Sequence, residues 1–381
     1  MRVRNLALAT AAFAVTFWAW NLIGPLSGGY SRALHLSPTQ TSLLVAIPVL
    51  VGSLGRIPAG VLADRFGGRV MFALVCFVSI VPVLFVGFSQ TYASLLFWGF
   101  LLGVAGTSFA VGIPFVNAWY EPARRGFATG VFGAGMGGTA LSAFFTPRLV
   151  EWIGRGTTHL LMAIALAAMG VIMLLFSADA PGWRPATRPA WPRIREALAI
   201  RATWQCAFLY AVAFGGFVAF STYLPTLLQN VYALSQTDAG LRTAGFSIAA
   251  VVARPLGGVL SDRVGPVRIL VASFAGATVM ALLLSLKPPL ELPAGVSFVL
   301  MAFFLGLGTG GVFALVARLV DPARVGTVTG LVGAAGGLGG YFPPLVMGAV
   351  YSATGAYTIG YLLLAATAAA ALLYSARAFR K

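Results

Sequence analysis

The chain has 381 residues, of which 59% are hydrophobic and only 9% are charged. Soluble domains carry about 25% charged residues, so this composition excludes a water-soluble protein and indicates a polytopic membrane protein. The net charge of +16 would favour nucleic acid binding in a soluble chain, but here its distribution between the loops decides what it means.

Apolar runs long enough to cross a hydrocarbon layer of about 30 Å recur along the chain. They predict an all-α membrane protein with twelve transmembrane helices, called spans 1 to 12 below. The predicted spans start near Leu6, Thr41, Val70, Ala93, Gly126, Thr158, Thr203, Gly240, Val267, Ala294, Gly326 and Gly355.

Basic residues are distributed unequally between the two sides of this predicted bundle. The even-numbered connections and the two termini hold eighteen of the 25 Lys and Arg residues, and the opposite side holds five. Because cytoplasmic loops carry the excess of Lys and Arg, both termini are predicted to lie in the cytoplasm, with the protein in the cytoplasmic membrane. The positive charge therefore reports topology, and no nucleic acid partner is predicted.

A proline-rich segment divides the chain in two. Residues 179–202 contain four prolines and five arginines, which is typical of a cytoplasmic linker. The predicted organisation is an N-terminal six-helix bundle over residues 1–178, this linker, and a C-terminal six-helix bundle over residues 203–381.

The two halves repeat one another. Arg56 and Asp64 recur as Arg254 and Asp262 with an offset of 198, and the glycine-rich start of span 5 recurs in span 11 with an offset of 200. An even number of spans in each half gives both copies the same orientation, which predicts two bundles related by an axis along the membrane normal. In such folds the substrate site lies between the bundles near the midplane.

The repeated arginines are the strongest functional signal. Arg56 lies eight residues before the charged turn at Asp64, which places it about 12 Å deep in the hydrocarbon layer, and Arg254 has the same depth. An arginine at the centre of a span costs at least about 2.5 kcal/mol, so each must face the protein interior.

The counter-charge for these arginines is missing from the sequence. All nine acidic residues are predicted to lie in loops or at span ends, so an incoming anion is the predicted counter-charge, and a small monovalent oxyanion fits two guanidinium groups best. Alternatively, both arginines are structural and bind backbone carbonyls freed by Pro58 and Pro255.

Glycines form strips along spans 5 and 11. Gly137 and Gly337 belong to glycine runs with three- and four-residue spacing, which put a smooth strip on one helix face. Such strips indicate close helix packing, and they also let a small solute pass or let backbone dipoles face it, so Gly137 and Gly337 are predicted to contribute to substrate binding.

Two groups of motifs resemble known patterns. The stretch Gly60-Val-Leu-Ala-Asp-Arg-Phe-Gly-Gly-Arg69 resembles the signature of the loop between helices 2 and 3 in the major facilitator superfamily, and it is repeated weakly from Gly258 to Gly265. This resemblance implies the major facilitator fold. It also implies a gating role on the cytoplasmic side for Asp64, Arg65, Asp262 and Arg263.

The glycine-rich stretches 126–148 and 330–343 resemble the two nitrate signatures of the nitrate/nitrite porter family. The resemblance implies that Arg56 and Arg254 bind the anion. It further implies that Tyr210, Phe214 and Phe109 stack on the planar substrate. Met136 departs from the pattern, because the family often has an asparagine at this position.

The expected function is therefore transport of nitrate, nitrite or both by alternating access, with exchange of one for the other favoured. Proton-coupled symport remains an alternative, although His35 and His159 are predicted to be interfacial polar residues near outer helix ends. A major facilitator carrier for another small anion, such as an organic phosphate or carboxylate, is a second alternative.

Two further classes are disfavoured by the sequence. An integral membrane enzyme needs a nucleophile, a metal cluster or paired carboxylates near the spans, and the sequence predicts none of these. A passive channel does not explain the duplication or the gating motif. A monomer is predicted, with a small inorganic anion and the lipid bilayer as partners and with no cofactor or metal.

Overall fold

The computed structural model describes residues 1–121, 124–186, 189–321 and 324–379. Three of the basic residues that were counted on the predicted cytoplasmic side lie outside the described residues, namely Arg188, Arg380 and Lys381. The Pro-Ala dipeptides at 122–123 and 322–323 also lie outside them. Side chains 126 and 127 are also outside the description.

The described residues form helices joined by short connections, with no strand among them. In the first half, span 1 comprises Arg2–Trp20 and Ile23–Leu34, span 2 comprises Pro38–Leu54 and Arg56–Phe66, and span 3 is Gly68–Phe88. Span 4 comprises Tyr92–Leu102, Gly103–Thr107 and Ser108–Ala118. Span 5 comprises Arg125–Gly133, Ala134–Gly137 and Gly138–Ile153, and span 6 is Arg155–Phe176.

In the second half, span 7 is Arg201–Tyr232, span 8 is Gln236–Val264 and span 9 is Pro266–Ser285. Span 10 comprises Leu290–Ala294 and Gly295–Leu319, span 11 comprises Val325–Gly339 and Phe342–Thr354, and span 12 is Thr358–Ala378. The predicted span starts agree with the described helices to within four residues. The all-α architecture predicted from apolar runs is therefore confirmed.

Ten of these segments are long and apolar enough by themselves to cross a membrane. The other two are spans 5 and 11, which are interrupted by the short 3-10 turn Ala134–Gly137 and by a break after Gly339. Both interruptions fall in the glycine runs, because glycine lowers helix stability and removes the side chain that would block a change of direction. Span 2 is likewise interrupted, at Gly55, directly before Arg56.

The segment between the halves contains a helix that the proline content did not predict. Ala190–Leu198 is helical, although it begins directly after Pro189 and contains Pro192 in its first turn. Proline is tolerated there because the first helical N–H groups have no intrahelical partner. This linker helix lies on the side of the bundle that carries both termini, called the termini face below.

On the opposite side, called the far face, the two halves are in close contact. The Ser27 and Thr226 hydroxyls of spans 1 and 7 are 2.6 Å apart. A Cβ on Gly24 would lie only 2.6 Å from the Thr222 carbonyl oxygen, and Gly240 and Gly348 make similar contacts with spans 5 and 2. Small residues thus let the far halves of the bundles pack backbone to backbone.

Toward the termini face, three glycines of spans 8 and 11 have open space beside them. Gly258 lies one turn beyond Arg254 on span 8, while Gly330 and Gly326 continue the face of span 11 that carries Gly333. A Cβ at Gly258, Gly326 or Gly330 would meet no described atom within 4 Å. The close backbone contacts between the two halves described above are therefore at the far face, whereas these glycines near the termini face do not make such contacts.

Candidate functional site

Arg56 is buried at the contact between the two halves. Only 2% of the residue is exposed, and its Nη1 donates a hydrogen bond of 2.6 Å to the carbonyl oxygen of Gly333 on span 11. The chain reaches this position because span 2 is interrupted at Gly55, where a Cβ would lie 2.8 Å from Thr107. The side chain therefore points into the bundle, as its cost in lipid requires.

Arg254 occupies the corresponding position on span 8 and is 4% exposed. Its Nη1 contacts the Sδ atom of Met136 at 3.2 Å. Gly133 lies beside the guanidinium, and a Cβ at this glycine would come within 3.2 Å of Nε. The thioether is a weak acceptor, so Arg254 has a weaker protein partner than Arg56.

The repeat creates a reciprocal arrangement across the interface. Arg56 of the first half is held by Gly333 of the second, and Arg254 of the second half lies against Gly133 of the first. The two glycines differ by 200 positions and the two arginines by 198. Each half therefore supplies one arginine and one glycine-lined helix that receives the other half's arginine.

Several donors in this site have no acceptor. Among the described residues, Nε and Nη2 of Arg56 and Nη2 of Arg254 are buried without a hydrogen-bond partner. All nine carboxylate residues lie in the described part of the chain, and none of them is buried. Buried donors without partners are costly, particularly on charged groups, so the site is suited to a small acceptor that carries negative charge.

Three of the predicted aromatic residues surround these guanidinium groups. The Cζ atom of Arg56 lies 5.0 Å from the ring centroid of Phe109 and 5.3 Å from that of Phe214, and Cζ of Arg254 lies 5.4 Å from Phe109. Tyr210 stacks on Phe214 with a centroid distance of 5.0 Å and an interplanar angle of 1°. The Tyr210 hydroxyl is buried near both arginines, and no described group forms a hydrogen bond of standard geometry with it.

Phe313 is a fourth aromatic residue in the cluster, which the sequence did not indicate. Its ring centroid lies 5.9 Å from Cζ of Arg254 and 4.7 Å from the ring of Tyr210. The duplication contained a signal for it, because span 10 repeats span 4. Phe313 lies one turn beyond position 309, the equivalent of Phe109 at the 200-residue offset.

Gly137 of span 5 and Gly337 of span 11 each pack against a span of the opposite half, at a residue one helical turn before its arginine. A Cβ at Gly137 would lie 3.9 Å from Val251, three residues before Arg254. A Cβ at Gly337 would overlap the Ser53 side chain, three residues before Arg56. Gly337 thus permits close approach of spans 2 and 11, whereas a side chain at position 137 would make only an ordinary van der Waals contact. The carbonyl that contacts Arg56 belongs to Gly333.

The four predicted gating residues lie at the termini face. Asp64 forms an ion pair of 3.1 Å with Arg193 of the linker helix, and Arg65 lies over the ring of Phe66. Asp262 and Arg263 are both exposed. In the described part of the chain, Asp262 has no ion pair within 4.0 Å, so the two copies of the motif differ in their contacts.

The histidines are distant from the arginine site. His35 ends span 1 with a positive φ of 50°. His159 was expected at an interface but is fully buried, because Gly87 on span 3 leaves room for its ring. Its Nδ1 lies 2.8 Å from the Arg155 carbonyl oxygen at the far end of span 6.

Comparisons with known proteins agree with this architecture. The sequence pattern of the Major Facilitator Superfamily matches residues 9–241 and again residues 206–381. The probable nitrate/nitrite transporter NarK2 of Mycobacterium tuberculosis is 58% identical over 376 residues, which cover 98% of this chain and 95% of that protein.

The nitrite extrusion protein of Bacillus subtilis is 36% identical, with 97% of this chain and 92% of that protein covered. The probable nitrate/nitrite antiporter NarK1 of Thermus thermophilus is 35% identical, with 98% and 90% covered. The chain belongs to the nitrate/nitrite porter family of the Major Facilitator Superfamily. It is thus a multi-pass membrane transporter and not an enzyme.

Solved structures share the fold of this porter at low sequence identity. A bacterial homologue of the human lysosomal transporter Spinster gives a TM-score of 0.76 at 19% identity, covering 98% of this chain and 96% of that one. The human organic anion transporter MFSD10 gives 0.75 at 15% identity, covering 98% and 99%. The predicted major facilitator fold with two repeated halves is confirmed.

Proposed function

We propose that this porter exchanges nitrate for nitrite by alternating access, with Arg56 and Arg254 binding the anion together between the two halves. The observation that carries the proposal is the pair of buried guanidinium groups, one from each half, whose free N–H groups face no buried carboxylate. An oxyanion supplies both the acceptors and the charge that the protein omits.

The aromatic cluster supports a flat substrate. The rings of Phe109 and Phe214 are 6.2 Å apart with an interplanar angle of 22°, and both lie against Arg56. A planar anion in this frame presents its oxygens sideways to the guanidinium groups and its faces to the rings. Tyr210, held parallel to Phe214, places its hydroxyl in the same region.

The names of the relatives support the substrate class. Proteins that are 35 to 58% identical to this chain over almost its whole length are called nitrate/nitrite transporter, nitrite extrusion protein and nitrate/nitrite antiporter. A larger, doubly charged substrate such as an organic phosphate would need additional cations. The two arginines are the only Lys, Arg or His residues described in this cluster.

We assign the termini face to the cytoplasm on the basis of the positive-inside rule, with the protein in the cytoplasmic membrane as a monomer. The bundles then comprise residues 1–178 and 203–381. The close contacts of Gly24, Ser27 and Thr226 make the described conformation one in which the outer side is closed. Asp64, Arg65, Asp262 and Arg263 then act at the inner gate.

Transport in proteoliposomes tests the exchange mechanism directly. Vesicles that contain nitrite should take up labelled nitrate rapidly, and vesicles without an internal anion should not. Rapid nitrate uptake into empty vesicles that requires an inward proton gradient would contradict exchange and establish symport. Failure of nitrate and nitrite to exchange under any gradient would overturn the substrate assignment itself.

A further inference from the structure

A cavity at the far face lies directly above the contact that closes the two halves. It has a volume of about 320 Å³ and lies between spans 1 and 2 of the first half and spans 7 and 11 of the second. Thr226 forms part of its wall, and the hydroxyl of the same residue contacts Ser27 at 2.6 Å. The floor of this cavity is therefore the closure itself.

The described lining is mixed, with apolar and polar side chains and one charged residue. Arg32 lines the cavity together with polar side chains, namely Ser31, Thr41, Thr226, Gln229 and Asn230. None of the described lining residues is Asp or Glu. Within the described residues Arg32 has no ion pair within 4.0 Å, although Arg242 on the same face is paired with Glu291 at 2.7 Å. Arg32 is thus a free cation at the mouth of the interface.

One buried polar atom in the wall also lacks a partner. Oε1 of Gln229 has no hydrogen-bond donor among the described residues, although its Nε2 donates to the Pro225 carbonyl oxygen at 3.1 Å. That oxygen lies against Gly28 and is shielded from the cavity, whereas the exposed Asn230 faces solvent. A hydrated anion can therefore present its charge to Arg32 and its water molecules to the exposed polar side chains of the lining. The cavity therefore suits a hydrated anion, whereas the deeper site suits an anion without water.

We propose that this cavity is an outer waiting site for the transported anion, in which Arg32 binds hydrated nitrate or nitrite before the far face opens. The proposal rests on the function proposed above. On span 7, Thr226 in the cavity wall and Phe214 beside Arg56 are twelve residues apart. At 1.5 Å per residue, the arginine pair therefore lies about 18 Å deeper than the cavity. The anion then passes from one solvated cation to two buried ones.

Kinetics of the Arg32→Gln variant test the waiting site. Nitrate counterflow in vesicles of phosphatidylcholine alone, without anionic headgroups, should show the KM for external nitrate raised about three- to fivefold at low ionic strength, with kcat unchanged. The difference should vanish at high salt, because a solvated charge is screened. Arg32→Lys should retain the wild-type KM, and Arg242→Gln is the matched control for loss of a far-face arginine.

A second measurement separates the waiting site from the central site. In an Arg56→Lys background, a cysteine introduced at Ser31 should react faster with an anionic than with a cationic methanethiosulfonate, and nitrate should slow that reaction. Both effects should disappear when Arg32→Gln is added. An unchanged KM in Arg32→Gln together with no nitrate protection at position 31 would overturn the waiting site, while transport by the wild type would leave the exchange proposal intact.

Discussion

At the scale of single residues, the site is defined by what each guanidinium group lacks. Among the described residues, Arg56 donates to one strong acceptor, the Gly333 carbonyl oxygen, and Arg254 donates to the Met136 thioether. The Cζ atoms of both arginines lie close to the Phe109 ring, at 5.0 and 5.4 Å from its centroid. Arginine suits the binding of an oxyanion because its planar guanidinium group holds several N–H donors in a fixed arrangement. The lysine ammonium group is a compact charge without this fixed arrangement.

Replacement of either arginine by lysine should therefore impair transport although the charge is kept. A charge-assisted hydrogen bond contributes about 1.5 to 3 kcal/mol, so Arg56→Lys and Arg254→Lys should each lower kcat/KM for nitrate about 10- to 100-fold. Counterflow rates normalised to the amount of folded protein measure this loss. Arg242→Lys, in an exposed ion pair with Glu291, is the control, and loss in only one of the two central variants would contradict a shared site.

The sequence could predict the two arginines but not all of their neighbours. Arg56 and Arg254 followed from the cost of a buried charge and from the duplication, because both signals are local in the sequence. The contact of Arg56 with Gly333 joins residues 277 positions apart and depends on how closely two helices pack, which no local pattern encodes. Phe313 was missed for a different reason: it lies one turn beyond the exact equivalent of Phe109, and the chain has 28 phenylalanines from which to choose.

At the scale of helices, close packing of glycine positions the arginines. Gly337 of span 11 lies so close to Ser53 of span 2 that a Cβ would overlap the serine side chain. Arg56 follows Ser53 by one helical turn, so the distance between these two spans sets the distance from Arg56 to Gly333. The predicted glycine strip thus has a specific purpose, which is to bring a carbonyl of one half to the arginine of the other.

Substitution of Gly337 by alanine should therefore separate spans 2 and 11 and reduce nitrate counterflow at least tenfold. The double variant Ser53→Gly with Gly337→Ala should restore most of the activity, because it removes the atoms that the new methyl group meets. Gly245→Ala is the matched control, since a Cβ there meets no described atom within 4 Å. Equal activity of the single and double variants would show that this contact does not set the site.

The linker helix connects the gating motif to the second half. Arg193 pairs with Asp64 at 3.1 Å, and Glu196 pairs with Arg324 of the second half at 3.6 Å. All four side chains are at least one-third exposed, so each pair contributes at most about 1 kcal/mol. That energy can still shift an equilibrium between two conformations about fivefold.

Charge reversal at Arg193 should test whether the linker acts on the gate. Arg193→Asp should change the maximal counterflow rate two- to fivefold without changing the KM for nitrate, because Arg193 lies far from the central site. The double variant Arg193→Asp with Asp64→Arg should return to the wild-type rate. Unchanged rates in both variants would show that the ion pair is only a surface contact.

At the scale of the whole molecule, the duplication explains both the site and the motion. Each half contributes one arginine and one glycine-rich helix, so the anion becomes part of the contact between the halves. An empty site holds two like charges in a buried cluster, whereas an occupied site holds a compensated pair. Binding of the anion therefore favours close approach of the halves, which suits a carrier that changes conformation mainly when it is loaded.

A disulfide across the far face should test this motion. The Ser27 and Thr226 hydroxyl oxygens are 2.6 Å apart, so cysteines at both positions are close enough for a disulfide in the described conformation. Oxidation of the double variant Ser27→Cys with Thr226→Cys should abolish nitrate counterflow by holding the far face closed, and a reducing agent should restore it. Each single variant is a control, and the native Cys76 and Cys206 are buried. Transport that continues in the fully cross-linked protein would contradict alternating access, because the anion would then cross without the far face opening.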